Sequence, residues 1–348
     1  MSRTLSLCIP STCISSKSCR SQQHATHIAH QISRAAALYG VTEIIIYDNP
    51  DDVPEENETT NKAKKVVFGD DNETNTKSTR PTNNRPSDDS IRLANLLQYF
   101  VTPSYLRNSV FEDSKAFQYA KKLPKLPGLP FQNHQTSQFL EGLTVGSRIA
   151  KSQNKKKGKK SKKLLELEST TEFVNVGLEE FIKLDNQRVP VNTRVTVDLK
   201  QRKTVSPRKA YSEVIDLVPF QSQSFGYSVR VAASFGNVFT ESIFPEGYSF
   251  TGYVPSEEFT LENTDDNSTR IIEINTAIFA KTENTSSRHF LLICGSWKEI
   301  ERAVRNDKDL RGTEPFDVFD GRFICRRGAR TEDAVLISLA QISTALAS

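Results

Sequence analysis

The first 48 residues alternate between two apolar runs and one amphipathic segment, and this alternation constrains the fold more than any other feature. Residues 4–10 (TLSLCIP) and 41–48 (VTEIIIYD) have the length and composition of buried strands. Between them, Ser21 is placed to cap a helix and Gly40 to follow its end. Two strands joined through a helix are parallel and right-handed, so an α/β protein is predicted. The helical stripe consists of Ala25, Ile28, Ala29, Ile32, Ala36 and Tyr39.

Length and composition narrow the class of protein. The 348 residues can form one large or two ordinary domains. No run approaches the roughly 20 apolar residues that cross a bilayer, and the N-terminus lacks the apolar core of a signal peptide. The five cysteines include no CxxC pair, which argues against a disulfide framework and a structural zinc site, so we expect a soluble, intracellular protein. His24, His27 and His30 follow helical spacing without a carboxylate or thiol at ligand spacing, so no metal site is predicted.

Charge is segregated along the chain although the formal net charge is only +4. Residues 49–89 are rich in acidic and other polar residues with few core formers, and are predicted to be a disordered insertion. Residues 151–163 (KSQNKKKGKKSKK) contain eight lysines. Such a run attracts nucleic-acid phosphates through counterion release and also matches a nuclear-localisation signal; the alternative is a merely solvated loop. The candidate RNA-binding residues are Lys155, Lys156, Lys157, Lys159, Lys160, Lys162 and Lys163.

The middle of the chain differs from both ends. Three short segments rich in β-formers, with turn residues between them, predict a small β-barrel of the oligonucleotide-binding (OB) type with the lysine run as a loop. These segments are residues 172–184, 192–199 and 210–220. Residues 224–239 (SFGYSVRVAASFGNVF) return to a glycine-hinged pattern typical of helix, while 271–280 (IIEINTAIFA) predict a strand. The predicted domains are an N-terminal α/β part (1–140), an OB-like insertion (141–218) and a C-terminal α/β part (219–348).

Two apolar runs near the C-terminus each end at a glycine. Residues 290–294 (FLLIC) precede Gly295, after which Ser296 and Glu299 have the spacing of a capping box. Residues 317–321 (DVFDG) are predicted to end a second strand at its glycine.

A last helix is predicted to begin at Thr331, with an apolar stripe of Val335, Leu339, Ile342 and Leu346. Ligands of parallel α/β sheets bind at the carboxyl ends of strands, so these corners predict a cofactor held mostly by main-chain groups. The alternative is that they are ordinary glycines at strand ends, since the sequence has neither a dinucleotide-binding nor a P-loop glycine motif.

The sequence resembles the SPOUT (SpoU–TrmD) family of RNA methyltransferases. The segments QISRAAALYGVTEIIIYD, LLICGS and GARTEDAVLISLAQI are similar to its three motifs. More closely, the chain resembles the eukaryotic and archaeal branch that carries a β-barrel inserted in the catalytic domain. That resemblance rests on residues 41–48, on Gly226 and Tyr227 with Arg230, and most specifically on residues 330–332. It covers nearly the whole chain outside the two charged insertions.

The resemblance implies a SPOUT-type parallel sheet with a deep C-terminal trefoil knot, and a homodimer with the active site at its interface. It implies S-adenosyl-L-methionine as cofactor and RNA as substrate. Arg34 corresponds to the arginine of the first motif. The positions that correspond to the three cofactor loops are Val254, Pro255, Ser256, Cys294, Gly295, Ser296, Asp320, Gly321, Ile324, Gly328, Arg330 and Thr331.

Two positions depart from the pattern of that branch. Residues 254–258 (VPSEE) lack the arginine expected in the first loop, and Gly321 stands where asparagine is usual. Both departures support the alternative of a degenerate SPOUT protein that keeps the fold and RNA binding but has lost catalysis.

Methyl transfer to RNA needs an oriented acceptor and, at a uridine N3 or a ribose hydroxyl, the loss of a proton. Glu332 and its neighbour Asp333 are placed to help; the alternative is a favourable charge at a helix N-terminus. Arg34 could orient the RNA, with a surface ion pair as its alternative. The predicted catalytic residues are Arg34 and Glu332.

The predicted function is therefore an S-adenosyl-L-methionine-dependent RNA methyltransferase that acts on ribosomal RNA during ribosome biogenesis, in the nucleus and specifically the nucleolus. The alternative is a catalytically degenerate RNA-binding assembly factor. A third hypothesis, a protein-interaction scaffold built on the charged insertions, predicts that no RNA accompanies the purified protein.

Overall fold

A six-stranded parallel sheet organises the structure, a computed structural model that describes residues 3–48, 86–111, 115–129, 138–147, 169–210, 226–258, 270–274 and 288–347. The strands are β1 (Arg3–Pro10), β2 (Glu43–Tyr47), β3 (Phe139–Val145), β4 (Thr170–Thr171), β5 (Phe173–Asn175), β6 (Ile182–Lys183), β7 (Val189–Pro190), β8 (Arg194–Asp198), β9 (Lys203–Val205), β10 (Ser228–Ala232), β11 (Phe250–Pro255), β12 (Arg288–Gly295) and β13 (Gly321–Arg322). The helices are α1 (Gln22–Leu38), α2 (Asp88–Val101), α3 (Arg107–Val110), α4 (Pro207–Ala210), α5 (Asn237–Thr240), α6 (Trp297–Asn306) and α7 (Thr331–Ala347). Short 3₁₀ turns cover Ser11–Ile14, Lys115–Phe117, Ala120–Lys122 and Pro315–Val318.

The parallel sheet has the strand order β10-β2-β1-β12-β11-β13. Its N-terminal β-α-β unit is confirmed, because β1 and β2 pair in parallel on either side of α1. The Ser21 hydroxyl oxygen accepts a hydrogen bond from the His24 amide at 3.2 Å, and Gly40 has a φ of 72° just past the helix end. All strand pairs of this sheet are parallel, so their carboxyl ends lie at one edge.

Helices cover both faces of this sheet. α1, α2 and α7 pack on the face to which Leu5, Leu7 and Ile9 of β1 point. α5 and α6 pack on the opposite face, against Cys8 and Tyr47. Successive strand residues therefore face different helices, as the two-residue period of a strand requires. Within the described ranges, no helix has the length and apolarity needed to cross a membrane.

A separate antiparallel sheet, with the order β6-β5-β3-β8-β9, forms from the β-rich middle of the chain. Its core is small and consists of Leu140, Val174, Val176, Leu184 and Val197. Of the predicted strand over residues 210–220, only Ala210 is described, and it ends α4. The division of the chain at residues 140 and 218 stays a prediction.

The strand β10 contradicts the prediction of helix over residues 224–239. Val229 and Val231 alternate with polar residues, and their β-branched side chains suit a strand. Arg230 points to the opposite face, where its Nε donates to Glu43 Oε1 at 3.0 Å. Its two terminal nitrogens donate to the carbonyls of Asn237 and Val238, which fixes α5 on the sheet. Arg230 thus has a structural role.

Other boundaries also need correction. Asp88 and Asp89, predicted to lie in the disordered insertion, form the first turn of α2, because Ser87 caps the helix and acidic residues favour its N-terminus. Pro315–Val318 is a 3₁₀ turn, so the predicted strand does not end at Gly321; β13 begins there instead. Of the predicted strand over residues 271–280, the described part forms only a bridge between Glu273 and Arg322.

Candidate functional site

The carboxyl ends of β11 and β12 lie side by side at the candidate site. Pro255 pairs with Gly295 in the parallel register, and the Ser256 amide donates to the Gly295 carbonyl oxygen at 3.1 Å. α6 begins just beyond, where Ser296 Oγ accepts a hydrogen bond from the Glu299 amide at 3.3 Å. This contact is the predicted helix cap. The structure therefore brings together the first and second predicted cofactor loops.

The third predicted loop is held against the first by main-chain hydrogen bonds. The Glu257 amide donates to the Ala329 carbonyl oxygen at 2.8 Å. The Gly328 amide donates to the Glu258 carbonyl oxygen at 3.1 Å. All three predicted cofactor loops thus meet at one edge of the parallel sheet, where ligands of such sheets bind.

Glu257 connects the first loop to the start of α7. Its backbone is left-handed, with φ 61°, a conformation that costs a residue other than glycine roughly 1–2 kcal/mol. Its carboxylate accepts hydrogen bonds from the Thr331 amide at 3.0 Å and the Thr331 hydroxyl at 3.3 Å. The carboxylate thereby satisfies an amide of the helix N-terminus and lies where the helix dipole favours negative charge. The loop that lacks the expected arginine thus supplies a carboxylate that fixes α7.

Glu332 lies in the first turn of α7 and is only 9% exposed. Burial is the main cause that raises the pKa of its carboxyl above the ordinary value. Asp333 and Glu257 raise this pKa further, while Arg330 lowers it. A carboxyl with a raised pKa accepts a proton more readily than an exposed one. This environment suits the predicted catalytic role, which stays a prediction.

The loop that follows β1 completes the inner side of the site. Cys13 is buried there, and burial raises the pKa of its thiol, with further increases from Glu332, Glu257 and Glu299. Three carboxylates from separate segments therefore act on one interior position. Thr12 Oγ1 donates to Glu299 Oε1 at 3.0 Å, which attaches this loop to α6.

Two arginines, Arg330 and Arg92, act electrostatically on Cys19. Burial raises the pKa of the Cys19 thiol to about 11, and Glu332 adds to this effect. The positive charges of Arg330 and Arg92 oppose it, so both guanidinium groups lie within electrostatic range. Sequence reasoning missed Arg92, because it is one polar residue on an amphipathic helix and belongs to no motif.

Asp48 holds α2, and with it Arg92, at this edge of the sheet. It follows the carboxyl end of β2, and its Oδ1 accepts hydrogen bonds from the hydroxyls of Ser87 at 2.7 Å and Ser90 at 2.8 Å. The Ser11 hydroxyl donates to the same atom at 3.2 Å. One carboxylate thus joins β2, the start of α2 and the loop after β1.

Packing within the protein requires glycine at positions 295 and 321. A β-carbon on Gly295 would lie 2.5 Å from the Tyr47 hydroxyl oxygen. A β-carbon on Gly321 would lie 2.5 Å from Ile274 Cγ1. These glycines therefore make room for Tyr47 and Ile274, and the chain's own packing accounts for glycine instead of asparagine at position 321.

Two buried polar atoms at these strand ends have no hydrogen-bond partner among the described residues. They are Ser256 Oγ and Trp297 Nε1, in residues that are 2% and 6% exposed. An unpaired buried polar group costs roughly 1–3 kcal/mol. Their position, just past the ends of β11 and β12, is where a bound ligand with polar groups would satisfy them.

The remaining predicted cofactor residues differ in burial and in their contacts. Val254 and Cys294 are buried in β11 and β12, whereas Ile324 is 63% exposed. The Asp320 carboxylate accepts a hydrogen bond from the Thr251 amide at 2.7 Å, so it anchors the third loop.

The predicted arginine of the first motif is not part of the cluster of loops. Arg34 lies on the exposed side of α1, a helix that packs against α7. The lysines over 155–163 lie outside the described residues. In the described part of the chain, no group of three or more His, Cys, Asp or Glu residues could hold a metal ion.

Known proteins resemble this chain over nearly its full length. A family model described as "Putative RNA methyltransferase" matches residues 4–342. A Saccharomyces cerevisiae protein named "Putative methyltransferase" is 31% identical over 98% of this chain and 94% of its own length. The 28S rRNA (uridine-N(3))-methyltransferase of Homo sapiens is 27% identical over 99% of this chain and 78% of its own length. The Drosophila melanogaster enzyme of that name is 28% identical over 99% of this chain and 62% of its own length.

Proposed function

This chain belongs to the RNA methyltransferase family whose model matches residues 4–342, and we propose that it methylates N3 of a uridine in ribosomal RNA with S-adenosyl-L-methionine as methyl donor. The observation that carries the proposal is the meeting of three loops at the carboxyl edge of the parallel sheet, directly beside the buried Glu332. The target nucleotide is taken from the relatives in human and fly, whose names specify uridine N3 of 28S rRNA.

The residues at the strand ends fit a cofactor that has polar and apolar parts. Ser256 Oγ and Trp297 Nε1 are buried polar groups without partners in the described chain. We propose that they hold the cofactor together with the main chain of residues 294–296 and 328–330. S-adenosyl-L-methionine supplies an activated methyl group, so the protein needs no nucleophile of its own.

The protein's part in the chemistry is to orient the base and to remove a proton. Uridine N3 carries a hydrogen that must leave when the methyl group is attached. Glu332 is the proposed proton acceptor, since burial raises the pKa of its carboxyl. Arg34, together with Arg92 and Arg330, is proposed to hold the RNA phosphates, to which a guanidinium can donate two parallel hydrogen bonds.

We also propose the knot and the homodimer of the SPOUT fold. Leu38 on α1 and Leu336 on α7 are 49% and 47% exposed, which leaves apolar surface on two packed helices for a second copy. Three contacts support the knot. β13 pairs with β11, and Ala329, which follows β13 in the chain, accepts a hydrogen bond from the Glu257 amide just after β11. α7 then begins and packs on α1. The antiparallel sheet is compatible with the OB-like insertion.

Ribosomal RNA as substrate makes the nucleolus the expected location. The lysine run over 155–163 has the composition of a nuclear-localisation signal and of a phosphate-binding loop. A fluorescent fusion of the full chain should concentrate in the nucleolus. Replacement of the seven candidate RNA-binding lysines by alanine should reduce that accumulation.

An assembly factor that binds RNA without methylating it is the second candidate function. It is favoured by the loop of residues 254–258, which contains Glu257 and Glu258 but no arginine. A transfer assay separates the two functions: purified protein, radiolabelled S-adenosyl-L-methionine, and ribosomal RNA supplied free or in pre-ribosomal particles. Because a methyl group on N3 blocks base pairing, reverse transcription should stop at one uridine, and Glu332→Gln should reduce this stop. RNA binding with no transfer to either substrate would favour the assembly factor.

A further inference from the structure

A cavity of about 610 Å³ lies where the antiparallel sheet meets the parallel sheet, among the described residues. β8, β9 and the start of α4 line one side, and the start of β10 and the end of α2 line the other. Ligand pockets in proteins have volumes in this range. Because β10 begins here, at Ser228, the cavity lies at the amino edge of the parallel sheet, away from the candidate cofactor site at the carboxyl edge.

Hydrogen bonds between distant segments hold the walls of this cavity together. The hydroxyl of Tyr105, just after α2, donates to the Glu141 carbonyl oxygen of β3 at 3.1 Å and accepts from the Glu141 amide at 3.0 Å. The Tyr227 hydroxyl, just before β10, donates to the Leu97 carbonyl oxygen of α2 at 2.9 Å. The end of α2 is thus bonded both to the antiparallel sheet and to the start of β10, so the cavity exists before any ligand binds.

The lining of the cavity is polar but carries no net charge. Its one acid and its one base form an ion pair, in which Arg194 Nε donates to Glu141 Oε2 at 3.0 Å. The Thr196 hydroxyl donates to the other oxygen of the same carboxylate. The side-chain amide of Gln98 also lines the cavity and makes no hydrogen bond within the described ranges. Since an amide both donates and accepts, the lining suits a neutral ligand that has donors and acceptors.

Apolar side chains and exposed lysines complete the surroundings of the cavity. Val195, Val205 and Val229 line it and can pack against the faces of a planar ring. Residues 204–207 form part of the wall, and the exposed Lys203 and Lys209 lie directly before and shortly after them in the chain. Neither lysine forms an ion pair within the described ranges. Lysines beside a cavity attract phosphate groups, so the surroundings suit a ligand with a neutral planar part and a phosphate.

We propose that this cavity binds one unpaired nucleotide of the RNA, with the base inside and the phosphate at Lys203 and Lys209. The inference rests on the RNA-binding part of the proposed function. A base in a duplex would not enter, because its Watson–Crick edge is already paired. Asp48 holds the start of α2 at the carboxyl edge of the sheet, whereas Gln98 lies roughly 15 Å further along this helix. The bound nucleotide is therefore a different one from the methylated uridine.

Two substitutions in the cavity test the proposal. Gln98→Leu keeps the size of the side chain but removes its hydrogen bonds, and Val205→Trp, on the edge strand β9, places a large ring in the cavity. Each should weaken the binding of single-stranded ribosomal RNA fragments about five-fold, the size expected for one lost hydrogen bond, and leave duplex binding unchanged. The matched controls Gln118→Leu and Leu178→Trp, at exposed positions outside the cavity lining, should bind both RNAs as the wild type does.

Lys203→Gln tests the phosphate contact separately. It should reduce the slope of log affinity against log salt by about one for single-stranded RNA. Because Lys203 is exposed, this variant keeps the test decisive should a cavity variant not fold. A slope equal to that of the wild type would remove Lys203 from the site.

Fluorescence anisotropy measures RNA binding, and circular dichroism checks the fold of each variant. Titration with S-adenosylhomocysteine should give the wild-type result for every variant, since the cavity lies at the other edge of the sheet. Folded Gln98→Leu and Val205→Trp that bind single-stranded RNA as the wild type does would overturn the inference, even if the wild type methylates RNA. An equal loss of single-stranded and duplex binding would also overturn it. If both variants weaken only single-stranded binding but the wild type transfers no methyl group, the inference stands and the proposed methylation fails.

Discussion

Glu257 and Thr331 lie 74 positions apart in the sequence and are joined by two hydrogen bonds, both accepted by Glu257 Oε1, at 3.0 Å from the Thr331 amide and 3.3 Å from its hydroxyl. This pair connects the first cofactor loop to the last helix. Because Glu332 follows Thr331, the same contact also places the proposed proton acceptor. Acidic residues in this loop thus have a structural role beyond any role in catalysis.

Removing the side chain of Glu257 should destabilise the protein, and the glycine variant should be more stable than the alanine variant. Glu257→Ala loses the contact with the α7 N-terminus, at a cost of about 1 kcal/mol in the free energy of unfolding. Glu257→Gly loses the same contact but relieves the left-handed backbone, so it should be the more stable of the two by about 1 kcal/mol. Urea unfolding, followed by the fluorescence of the single tryptophan, measures both. Equal stability of the two variants would contradict the left-handed conformation.

The contact between Gly295 and Tyr47 should be detectable as coupling between two substitutions. Gly295→Ala places a methyl group against the Tyr47 hydroxyl and should cost about 1–3 kcal/mol. Tyr47→Phe removes that oxygen, so the double variant should lose less stability than the sum of the two single variants. Strict additivity in urea unfolding would show that the space beside Gly295 is not filled by Tyr47.

Stability should depend on pH through Glu332. Its folded-state pKa is raised, so folding favours the protonated form. Its contribution is therefore fully present below the ordinary pKa of 4.5 and is lost as pH rises through the raised value. Relative to the wild type, Glu332→Gln should gain stability from mildly acidic to neutral pH, although it should transfer methyl groups poorly. Urea unfolding at several pH values measures this difference; a difference that stays constant with pH would contradict a raised pKa.

Arg92 should contribute to RNA binding. Arg92→Gln should weaken RNA binding by a few fold and reduce the slope of log affinity against log salt by about one, as expected for one lost phosphate contact. Arg311→Gln, an exposed arginine beyond α6, is the matched control. The measurement is fluorescence anisotropy with ribosomal RNA fragments over a series of salt concentrations. An effect on salt dependence no larger than that of the control would exclude Arg92 from the RNA interface.

Local sequence patterns predicted the helices and strands that are specified by residues close together in the sequence. The β-α-β unit, the cap at Ser21 and the start of α7 at Thr331 all follow from hydrophobic period and capping residues. β10 was not predictable in this way, because its central Arg230 is satisfied by Glu43, which is distant in the sequence. In the sequence alone, a strand whose arginine forms a partly buried ion pair with a distant residue resembles a polar segment.

The site was only partly predictable for the same reason. The strand-end positions of Ser256 and Gly295 could be inferred from the sequence and its resemblance to SPOUT proteins. The bonds of Glu257 to Thr331, and the approach of Arg92 to Cys19, depend on how distant segments meet. The residue at position 321 could not be explained from the motifs alone. Glycine replaces the usual asparagine there because Ile274 fills the adjacent space, and Ile274 belongs to no motif.

The loops after β11 and β12 are proposed to bind S-adenosyl-L-methionine. The most direct test is isothermal titration of the full chain with S-adenosylhomocysteine and S-adenosyl-L-methionine, with light scattering on the same sample and Ser256→Ala as the site variant. We expect about one site per chain of a dimer, and a roughly five-fold weaker affinity in Ser256→Ala from the loss of one hydrogen bond to the ligand. A folded protein that binds neither molecule would show that these loops do not hold the cofactor, and would favour an RNA-binding assembly factor.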